Sequence, residues 1–218
     1  MAKTRTAILI SGRGSNMAAL IDAAEAADFP AEIALVLSNR PNAAGLAKAR
    51  QRGVDTAVID HRKFNDRATF EAALNRALSE GKIELVCLAG FMRLLTADFV
   101  DSWRNRLINI HPSILPAFKG LQTHERAIAA GVRIHGATAH FVRVTMDEGP
   151  VIVQGAVPVL PSDTAESLGE RILAVEHRIY PIALALVAGR KARVVSEKVV
   201  VEQDGAHAGD ALIVPLNA

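Results

Sequence analysis

The fold is decided near the start of the chain by the stretch Thr6-Ala7-Ile8-Leu9-Ile10-Ser11-Gly12-Arg13-Gly14-Ser15-Asn16. Its first five residues are typical of a buried strand, the two glycines predict a tight turn, and a helix is predicted from residue 16 to 27. Strand and helix signals continue to alternate at 33–37 (strand), 44–52 (helix), 56–59 (strand) and 66–79 (helix). This alternation predicts right-handed βαβ units and a parallel sheet.

The remaining elements predict a change of pairing in the second half of the chain. A strand around Val86, a helix from Thr96 and a strand ending at His111 complete the parallel part. The elements after Pro116 are a helix near 124–130, antiparallel strands at 137–142 and 151–156, and a long helix at 164–188. Pro181 predicts a kink or a break in this last helix.

The prediction for the whole chain is an α/β fold, with a Rossmann-like, mostly parallel sheet flanked by helices and antiparallel strands in the C-terminal half. We expect a single domain over 1–190, divided into a nucleotide-binding half (1–112) and a second half (113–190). The segment 191–218 is predicted as a C-terminal tail or hairpin. Its strands are predicted at 193–201 and 211–214.

The composition limits the class of protein. Of 218 residues, half are hydrophobic and only 4% are aromatic, so the core is built from aliphatic residues, as in a parallel sheet covered by helices. The 25 basic and 23 acidic residues are mixed along the chain, which gives no sign of a nucleic-acid partner. No apolar segment reaches the ~18 residues of a membrane span, and no signal peptide is present, so we expect a cytoplasmic protein without a membrane partner. The single cysteine, Cys87, falls in a predicted buried strand and is expected to be inert.

The segment Leu107-Ile108-Asn109-Ile110-His111-Pro112-Ser113 places an amide and an imidazole two residues apart on a predicted strand. Side chains at this spacing point to the same face, so Asn109 and His111 are expected side by side. Pro112 ends the strand because it has no N–H, which puts the pair where open α/β sheets bind ligands. An amide that donates to a developing oxyanion, beside a group that moves protons, suits acyl transfer. The alternative is an asparagine that caps a turn and a histidine satisfied by backbone.

The glycine-rich loop is a candidate anion site. Gly12 and Gly14 permit left-handed backbone, so that successive N–H groups at a helix N-terminus converge on an anion. Ser15 or Asn16 is then either a helix cap or a ligand contact. The loop lacks the Gly-Lys-Ser/Thr ending of a P-loop, and Met17 stands where a dinucleotide-binding loop has its third glycine, which favours a monophosphate. An ordinary glycine-rich turn is the alternative.

Two further segments are candidates for the site. Ala89-Gly90-Phe91-Met92-Arg93-Leu94-Leu95 offers apolar side chains and exposed backbone groups to a flat heterocycle, although core packing explains Leu94 and Leu95 equally well. Thr145-Met146-Asp147-Glu148-Gly149-Pro150 is a polar turn, and a carboxylate there that reached an imidazole would favour the proton-donating imidazolium. The other histidines and the single cysteine show no metal-ligand spacing, so no metal is predicted.

Taken together, these segments resemble the folate-dependent phosphoribosylglycinamide formyltransferases of purine synthesis. The resembling motifs are Ser11-Gly12-x-Gly14-Ser15-Asn16, Ala89-Gly90-Phe91-Met92-Arg93, Asn109-Ile110-His111-Pro112-Ser113-x-Leu115-Pro116, Asp147-x-Gly149-Pro150 and Glu176-His177-Arg178-Ile179-Tyr180-Pro181. They cover nearly the whole chain in the family's order. The resemblance implies the formyltransferase fold, with 113–190 as the folate-binding and catalytic half. It also implies transfer of a formyl group from 10-formyltetrahydrofolate, as co-substrate and without a metal, to the amine of glycinamide ribonucleotide.

The resemblance further implies the roles of individual residues. Asn109 would orient the formyl oxygen and stabilise the oxyanion, His111 would donate a proton, and Asp147 would pair with His111. The ribonucleotide would be held by Gly14, Ser15 and Asn16, chiefly at its phosphate, and by Glu176 near its amine. The folate would be held by Arg67, Met92, Arg93, Leu94, Leu95 and Asn109.

Two positions depart from the family pattern. Arg13 stands where a small or amide residue is frequent, and it adds positive charge near the expected phosphate. Leu173 stands where some members have a polar residue, so that helix is expected to make fewer contacts with the ribonucleotide.

Three other functions are alternatives. A formyltetrahydrofolate deformylase shares the Asn, His and Asp set but passes the formyl group to water; it usually has an added N-terminal domain, which we do not expect here. A methionyl-tRNA formyltransferase needs a C-terminal nucleic-acid-binding domain of about a hundred residues. A non-catalytic folate or nucleotide sensor has no reason to keep the three chemical residues. We therefore expect small-molecule substrates, no nucleic acid, no membrane, and a monomer or weak homodimer.

Overall fold

The computed structural model describes residues 2–202 as a seven-stranded sheet with helices on both faces and a separate two-stranded hairpin. The strands are β1 (Thr4–Ile10), β2 (Ala31–Ser38), β3 (Thr56–Val58), β4 (Leu85–Leu88), β5 (Leu107–His111), β6 (Ile134–Phe141), β7 (Val151–Pro158), β8 (Ala192–Val195) and β9 (Lys198–Val201). The helices are α1 (Ser15–Ala24), α2 (Ala44–Gln51), α3 (Arg67–Glu80), α4 (Ala97–Ser102), α5 (Thr123–Ala129) and α6 (Ala165–Ala188). Across residues 2–202, none of these helices is both long and apolar enough to cross a bilayer.

The sheet has the order β3-β2-β1-β4-β5-β6-β7. Pairing is parallel from β3 to β5, and β6 and β7 are antiparallel to their neighbours. The predicted α/β fold is confirmed, including the antiparallel strands of the C-terminal half. The change from parallel to antiparallel pairing lies between β5 and β6. The division of the domain 1–190 into two functional halves at residue 112 stays a prediction.

Alternate residues of β1 enter two hydrophobic cores, one on each face of the sheet. Ile8 and Ile10 belong to the core that includes residues of α1 and α6, whereas Ala7 and Leu9 belong to the core that includes residues of α3. All four side chains are fully buried. Such burial is typical of a central strand covered on both faces, and it fixes the register of β1 and the position of the loop that follows.

Helix α6 runs through Pro181 without a break, so the predicted break is wrong. Residues on both sides of the proline, among them Tyr180 and Leu184, are fully buried. This packing outweighs the backbone hydrogen bond that a proline removes. The Tyr180 hydroxyl also donates to the carbonyl oxygens of Leu88 at 2.9 Å and Ile108 at 3.2 Å. Helix α6 is therefore fixed to β4 and β5 from behind the sheet.

The predicted boundaries agree with the structure to within about two residues for most elements, and the larger differences have local causes. Helix α1 ends at Ala24 rather than residue 27, because the chain closes into a tight turn in which the N–H of Ala26 bonds to the carbonyl of Ala23. Strand β6 begins three residues before the predicted start, since Gly136 lets β7 approach so closely that a β-carbon would overlap the Gly155 carbonyl. The single strand predicted at 193–201 is wrong, because the chain turns back at Ser196 and Glu197 and pairs β8 with β9 within that segment. The strand predicted at 211–214 lies outside the described residues.

Cys87 lies in β4 and is fully buried. Burial raises the pKa of its thiol to about 12, so the nucleophilic thiolate does not form at neutral pH. The expected inert, packed cysteine is what the structure shows.

Candidate active site

The carboxyl ends of β1 and β4 meet at one edge of the sheet, where their loops are joined. Ser11 follows β1 directly, and its N–H donates to the carbonyl of Gly90 at 3.1 Å. The Ser11 hydroxyl accepts from the N–H of Met92 at 2.8 Å and donates to Asn39 Oδ1 at 2.6 Å. The glycine-rich loop and the segment 89–95 therefore form one continuous surface.

Strand β5 ends at the same edge and carries Asn109 and His111. Asn109 Nδ2 lies 3.2 Å from His140 Nε2, and His111 Nδ1 lies 3.5 Å from Asp147 Oδ2. Asp147 Oδ1 is also 3.9 Å from His140 Nε2. The four side chains, Asn109, His111, His140 and Asp147, therefore form one group, which we name the β5 cluster.

His140 belongs to the β5 cluster, although the sequence analysis did not single it out. Its Nδ1–H donates to the carbonyl of Phe141 at 2.9 Å, so its Nε2 has a free lone pair and accepts from the Asn109 amide. Burial lowers the pKa of His140, which keeps the ring neutral. The Asn109 amide is thus oriented with its nitrogen towards His140. No single strand reveals this contact, because it depends on the register in which β6 sets His140 opposite Asn109.

Asp147 is held at the tip of the turn between β6 and β7. Its side chain is only 8% exposed, and its Oδ2 accepts from the N–H of Gly120 at 2.8 Å. At Gly149 a β-carbon would overlap the carbonyl oxygen of Phe141, so the turn closes on the end of β6 only with glycine at that position. The turn therefore presents a fixed carboxylate to His111.

The His111 ring lies between two oxygen acceptors. Its Nδ1 faces Asp147, and its Nε2 lies 3.2 Å from the carbonyl of Phe118. Each ring nitrogen of His111 therefore has an oxygen acceptor within about hydrogen-bonding reach. Within residues 2–202 no three His, Cys, Asp or Glu side chains come together as a metal site.

The glycine-rich loop enters α1 through Gly14, whose φ is 68°. A β-carbon at Gly14 would lie 2.9 Å from Gly45 Cα, so the backbone angle and the close packing both require glycine. Ser15 is the first helical residue, and no side chain caps α1. The first N–H groups of the helix are therefore available to an anion.

Asn16 connects α1 to α6. Its Nδ2 donates to Glu176 Oε2 at 2.6 Å, and burial raises the pKa of that carboxyl. Asn16 Oδ1 is buried and has no hydrogen-bond partner among the described residues. Buried acceptors are normally satisfied, so this pair fits a ligand that brings hydroxyl or amine donors. Leu173 is half-buried one turn earlier on α6 and adds no polar group, and Arg13 is exposed on the loop.

A cavity of about 380 Å³ brings together Arg67 and Arg93, which are distant in sequence. Its other lining residues are His61, Phe64, Asn65, Asp66 and Phe70. Arg93 Nε is buried without a hydrogen-bond partner among residues 2–202, so it fits an acceptor from a ligand. Met92 and Leu94 are each 64% exposed and Leu95 is half-buried, and none of the three lines this cavity. Core packing therefore does not account for Leu94, whereas Leu95 packs against the core beside α3.

The fold is that of a formyl transferase. Residues 4–184 match the formyl transferase family, and the chain belongs to that family. The resemblance read from the sequence motifs is thereby confirmed.

The curated relatives are named either as phosphoribosylglycinamide formyltransferases or as trifunctional purine biosynthetic proteins. The Escherichia coli phosphoribosylglycinamide formyltransferase is 40% identical over 181 residues, which are 83% of this chain and 85% of that protein. The Haemophilus influenzae protein of the same name is 39% identical over 180 residues, with 83% and 85% covered. The human trifunctional purine biosynthetic protein adenosine-3 is 48% identical over 186 residues, 85% of this chain. This chain spans about a fifth of the length of such trifunctional relatives, 18% in the human case.

Solved structures show the same fold. Glycinamide ribonucleotide transformylase 1 from Symbiobacterium toebii superposes with a TM-score of 0.89 at 44% identity, covering 92% of this chain and 95% of that one. A formyltetrahydrofolate deformylase from Pseudomonas syringae superposes with a TM-score of 0.85 but is only 26% identical, covering 92% of this chain and 66% of that one. The transformylase is thus closer in sequence than the deformylase.

Proposed function

We propose that the protein transfers the formyl group of 10-formyltetrahydrofolate to the amine of N1-(5-phosphoribosyl)glycinamide. The products are the N2-formyl ribonucleotide and tetrahydrofolate, a step of de novo purine (IMP) biosynthesis. The observation that carries this proposal is the β5 cluster, which sets an amide donor, an imidazole and a carboxylate at one edge of the sheet. The names of relatives that are 39% and 40% identical over most of their length support the choice of substrates.

The reaction proceeds by direct transfer through a tetrahedral intermediate. The amine nitrogen attacks the formyl carbon, and the carbonyl oxygen takes the negative charge. Asn109 orients this oxygen and donates to it, while a ring N–H of His111 supplies a second donor. The bond between the formyl carbon and N10 of the folate then breaks. The attacking amine loses a proton, N10 gains one, and His111 moves protons between them while Asp147 balances its charge.

The ribonucleotide binds along the glycine-rich loop. The backbone N–H groups at Gly14, Ser15 and Asn16 hold the phosphate at the uncapped end of α1. Glu176, beside the unpartnered Asn16 Oδ1, accepts hydrogen bonds from the substrate near its amine. A donor from the ribonucleotide would satisfy Asn16 Oδ1, which is buried without a partner among residues 2–202.

The folate binds on the other side of the β5 cluster. Arg67 and Arg93 face one cavity and bind the carboxylates of the folate, and Arg93 Nε gains the acceptor that it lacks. The exposed side chains of Met92 and Leu94, with the half-buried Leu95, cover the pterin. The formyl group then reaches Asn109 from this side.

Partners other than these small molecules are not needed for the reaction. The expectations of no nucleic acid, no membrane, a monomer or weak homodimer, and a cytoplasmic location stay predictions. The reaction itself requires only the two substrates and the side chains of one chain.

The test is a turnover assay. Purified protein is mixed with 10-formyltetrahydrofolate with and without the ribonucleotide, and the ultraviolet change of folate deformylation is followed. Deformylation that depends on the ribonucleotide supports the transferase. Deformylation at the same rate without the ribonucleotide would overturn the proposal in favour of a deformylase, and binding without any release would overturn it in favour of a sensor.

A further inference from the structure

A groove of about 710 Å³ lies on the far side of the Asp147 turn. It is lined by the turn itself, from Asp147 to Val151, by the tip of the β8–β9 hairpin, from Glu197 to Val199, and by Leu115, Pro116 and Lys119. The match to the formyl transferase family ends at residue 184, so this hairpin lies beyond it. The hairpin therefore faces the turn that carries the carboxylate of the β5 cluster without belonging to the matched region.

Glu197 connects the hairpin to the body of the protein. Its Oε2 accepts from Arg143 Nε at 2.6 Å, and its Oε1 accepts from Arg104 Nη2 at 2.7 Å. The two arginines, chiefly Arg143, hold the pKa of Glu197 below its usual value. Glu197 and its neighbour Ser196 both have positive φ, the geometry of a tight two-residue hairpin turn that fixes where the carboxylate points.

Arg143 is the residue through which this contact reaches the Asp147 turn. It lies two residues after β6, at the start of the turn, and its side chain is only 11% exposed. Besides Glu197, it donates to the carbonyl of Val142 at 2.9 Å and to Asn105 Oδ1 at 2.7 Å. Glu197 supplies the only negative charge among these acceptors, so it contributes most to holding the guanidinium.

The rest of the turn is held by backbone contacts, by the bond from the Gly120 N–H to Asp147, and by the ion pair of Lys119 Nζ with Glu148 Oε1 at 2.8 Å. The N–H of Phe141 donates to the carbonyl of Pro150 at 2.9 Å, and Gly149 packs directly on the Phe141 carbonyl. The position of Asp147 is set by the turn residues that lie between Arg143 and these contacts of Gly149 and Pro150 with Phe141. The β6 end of the turn therefore depends on a side chain that the hairpin holds.

We propose that Glu197 is a positioning residue, which holds the Asp147 turn in place through Arg143. Its effect on turnover rests on the proposed formyl transfer, whereas its effect on the turn does not. Glu197→Gln removes the charge and keeps the size of the side chain. Because exposed ion pairs contribute little individually, we expect kcat to fall about three- to fivefold. The KM for the ribonucleotide stays unchanged, because Gly14 and Asn16 lie at the N-terminal end of α1 and Glu176 lies on α6.

The experiment measures steady-state kinetics and backbone hydrogen exchange of the peptide 142–150 on the full chain. The control is Glu32→Gln, which removes the exposed ion pair of Glu32 with Arg5, on the paired strands β1 and β2. We expect faster exchange in 142–150 for Glu197→Gln and Arg143→Met, and wild-type exchange for the control. The double variant should lose no more activity than the larger single loss, since both changes break the same contact.

Each result decides between the parts of the proposal. Unchanged exchange in 142–150 for Glu197→Gln would overturn the positioning role. Faster exchange with wild-type kcat would overturn it as well, because the contact would then be structural only. Absence of turnover in the wild-type protein would overturn the proposed function, and the exchange measurement would still decide whether Glu197 holds the turn.

Discussion

Asn109 and His140 are hydrogen-bonded across the antiparallel pair β5 and β6, with Nδ2 of the amide 3.2 Å from Nε2 of the imidazole. One amide hydrogen is used in this contact, and the second is left for a ligand oxygen. The direction of the Asn109 side chain is therefore set by a neutral histidine on the next strand.

Removal of either donor to the oxyanion should abolish most of the activity and leave the fold intact. For Asn109→Ala and His111→Ala we expect kcat to fall about a hundredfold or more, because one oxyanion donor lowers the barrier by about 3 kcal/mol. Turnover is measured by the folate assay and folding by circular dichroism. Near-wild-type turnover in either variant would remove that residue from the mechanism.

The orientation of Asn109 can be tested at His140 alone. His140→Leu removes the acceptor for the amide and should lower kcat about tenfold, the effect of one neutral hydrogen bond. His140→Gln offers a carbonyl oxygen in its place and should retain more activity than the leucine variant. Equal losses in the two variants would show that the acceptor does not matter.

The Glu176 carboxylate is expected to act on the ribonucleotide only. Glu176→Gln preserves the hydrogen bond from Asn16 but removes the charge, so the KM for the ribonucleotide should rise about tenfold. The KM for the folate should not change. Glu170→Gln is the matched control, since Glu170 is an exposed carboxylate on the same helix. A rise in both KM values would contradict the separation of the two sites.

Arg93 is expected to act on the folate only. Arg93→Met keeps the apolar part of the side chain and removes the guanidinium, whose buried Nε has no partner among residues 2–202, so the KM for the folate should rise about tenfold with little change in kcat. The measurement is made at a saturating concentration of the ribonucleotide. A loss of kcat with an unchanged folate KM would show that Arg93 does not bind the co-substrate.

His135 should make the protein less stable in weak acid. It is 1% exposed, and burial, with the nearby His124 and His111, lowers its pKa to about 4. The unfolded chain takes up a proton near pH 6.5 that the folded chain does not, so stability is present at pH 7 and is lost as the pH falls below that value. We expect this one group to lower the free energy of unfolding by about 2 kcal/mol between pH 7 and pH 5.

Urea unfolding at the two pH values measures this loss. His135→Gln cannot titrate and keeps a polar side chain at this buried position. Its loss of stability between pH 7 and pH 5 should be smaller than that of the wild type by about the same 2 kcal/mol. Parallel losses in the two proteins would show that another group is responsible.

Local patterns predict the strands and helices because each element depends mainly on a short, continuous stretch of sequence. The buried run from Ala7 to Ile10 and the glycines after it place β1 and its loop within a residue or two. The break predicted at Pro181 is not found, because the burial that keeps α6 continuous comes from elements far away in the chain.

The same distinction applies to the site. Asn109 and His111 are two residues apart on one strand, so their proximity follows from local spacing. The contact between Asn109 and His140 depends on strand register, and the contact of Glu197 with Arg143 depends on how the hairpin packs. Neither contact leaves a periodic signal in the sequence, because each joins residues that only the folded chain brings together.

The hydroxyl of Tyr180 contacts both β4 and β5, the two strands that lead into the candidate active site. It bonds to Leu88, just before the segment 89–95 that is proposed to bind the folate, and to Ile108, just before Asn109. A change in this segment that displaced β4 would therefore also move the Asn109 amide. Redesign of this protein for another formyl donor must therefore preserve the packing of α6 as well as change the proposed folate-binding residues. Tyr180 is the residue to keep unchanged while those residues are varied.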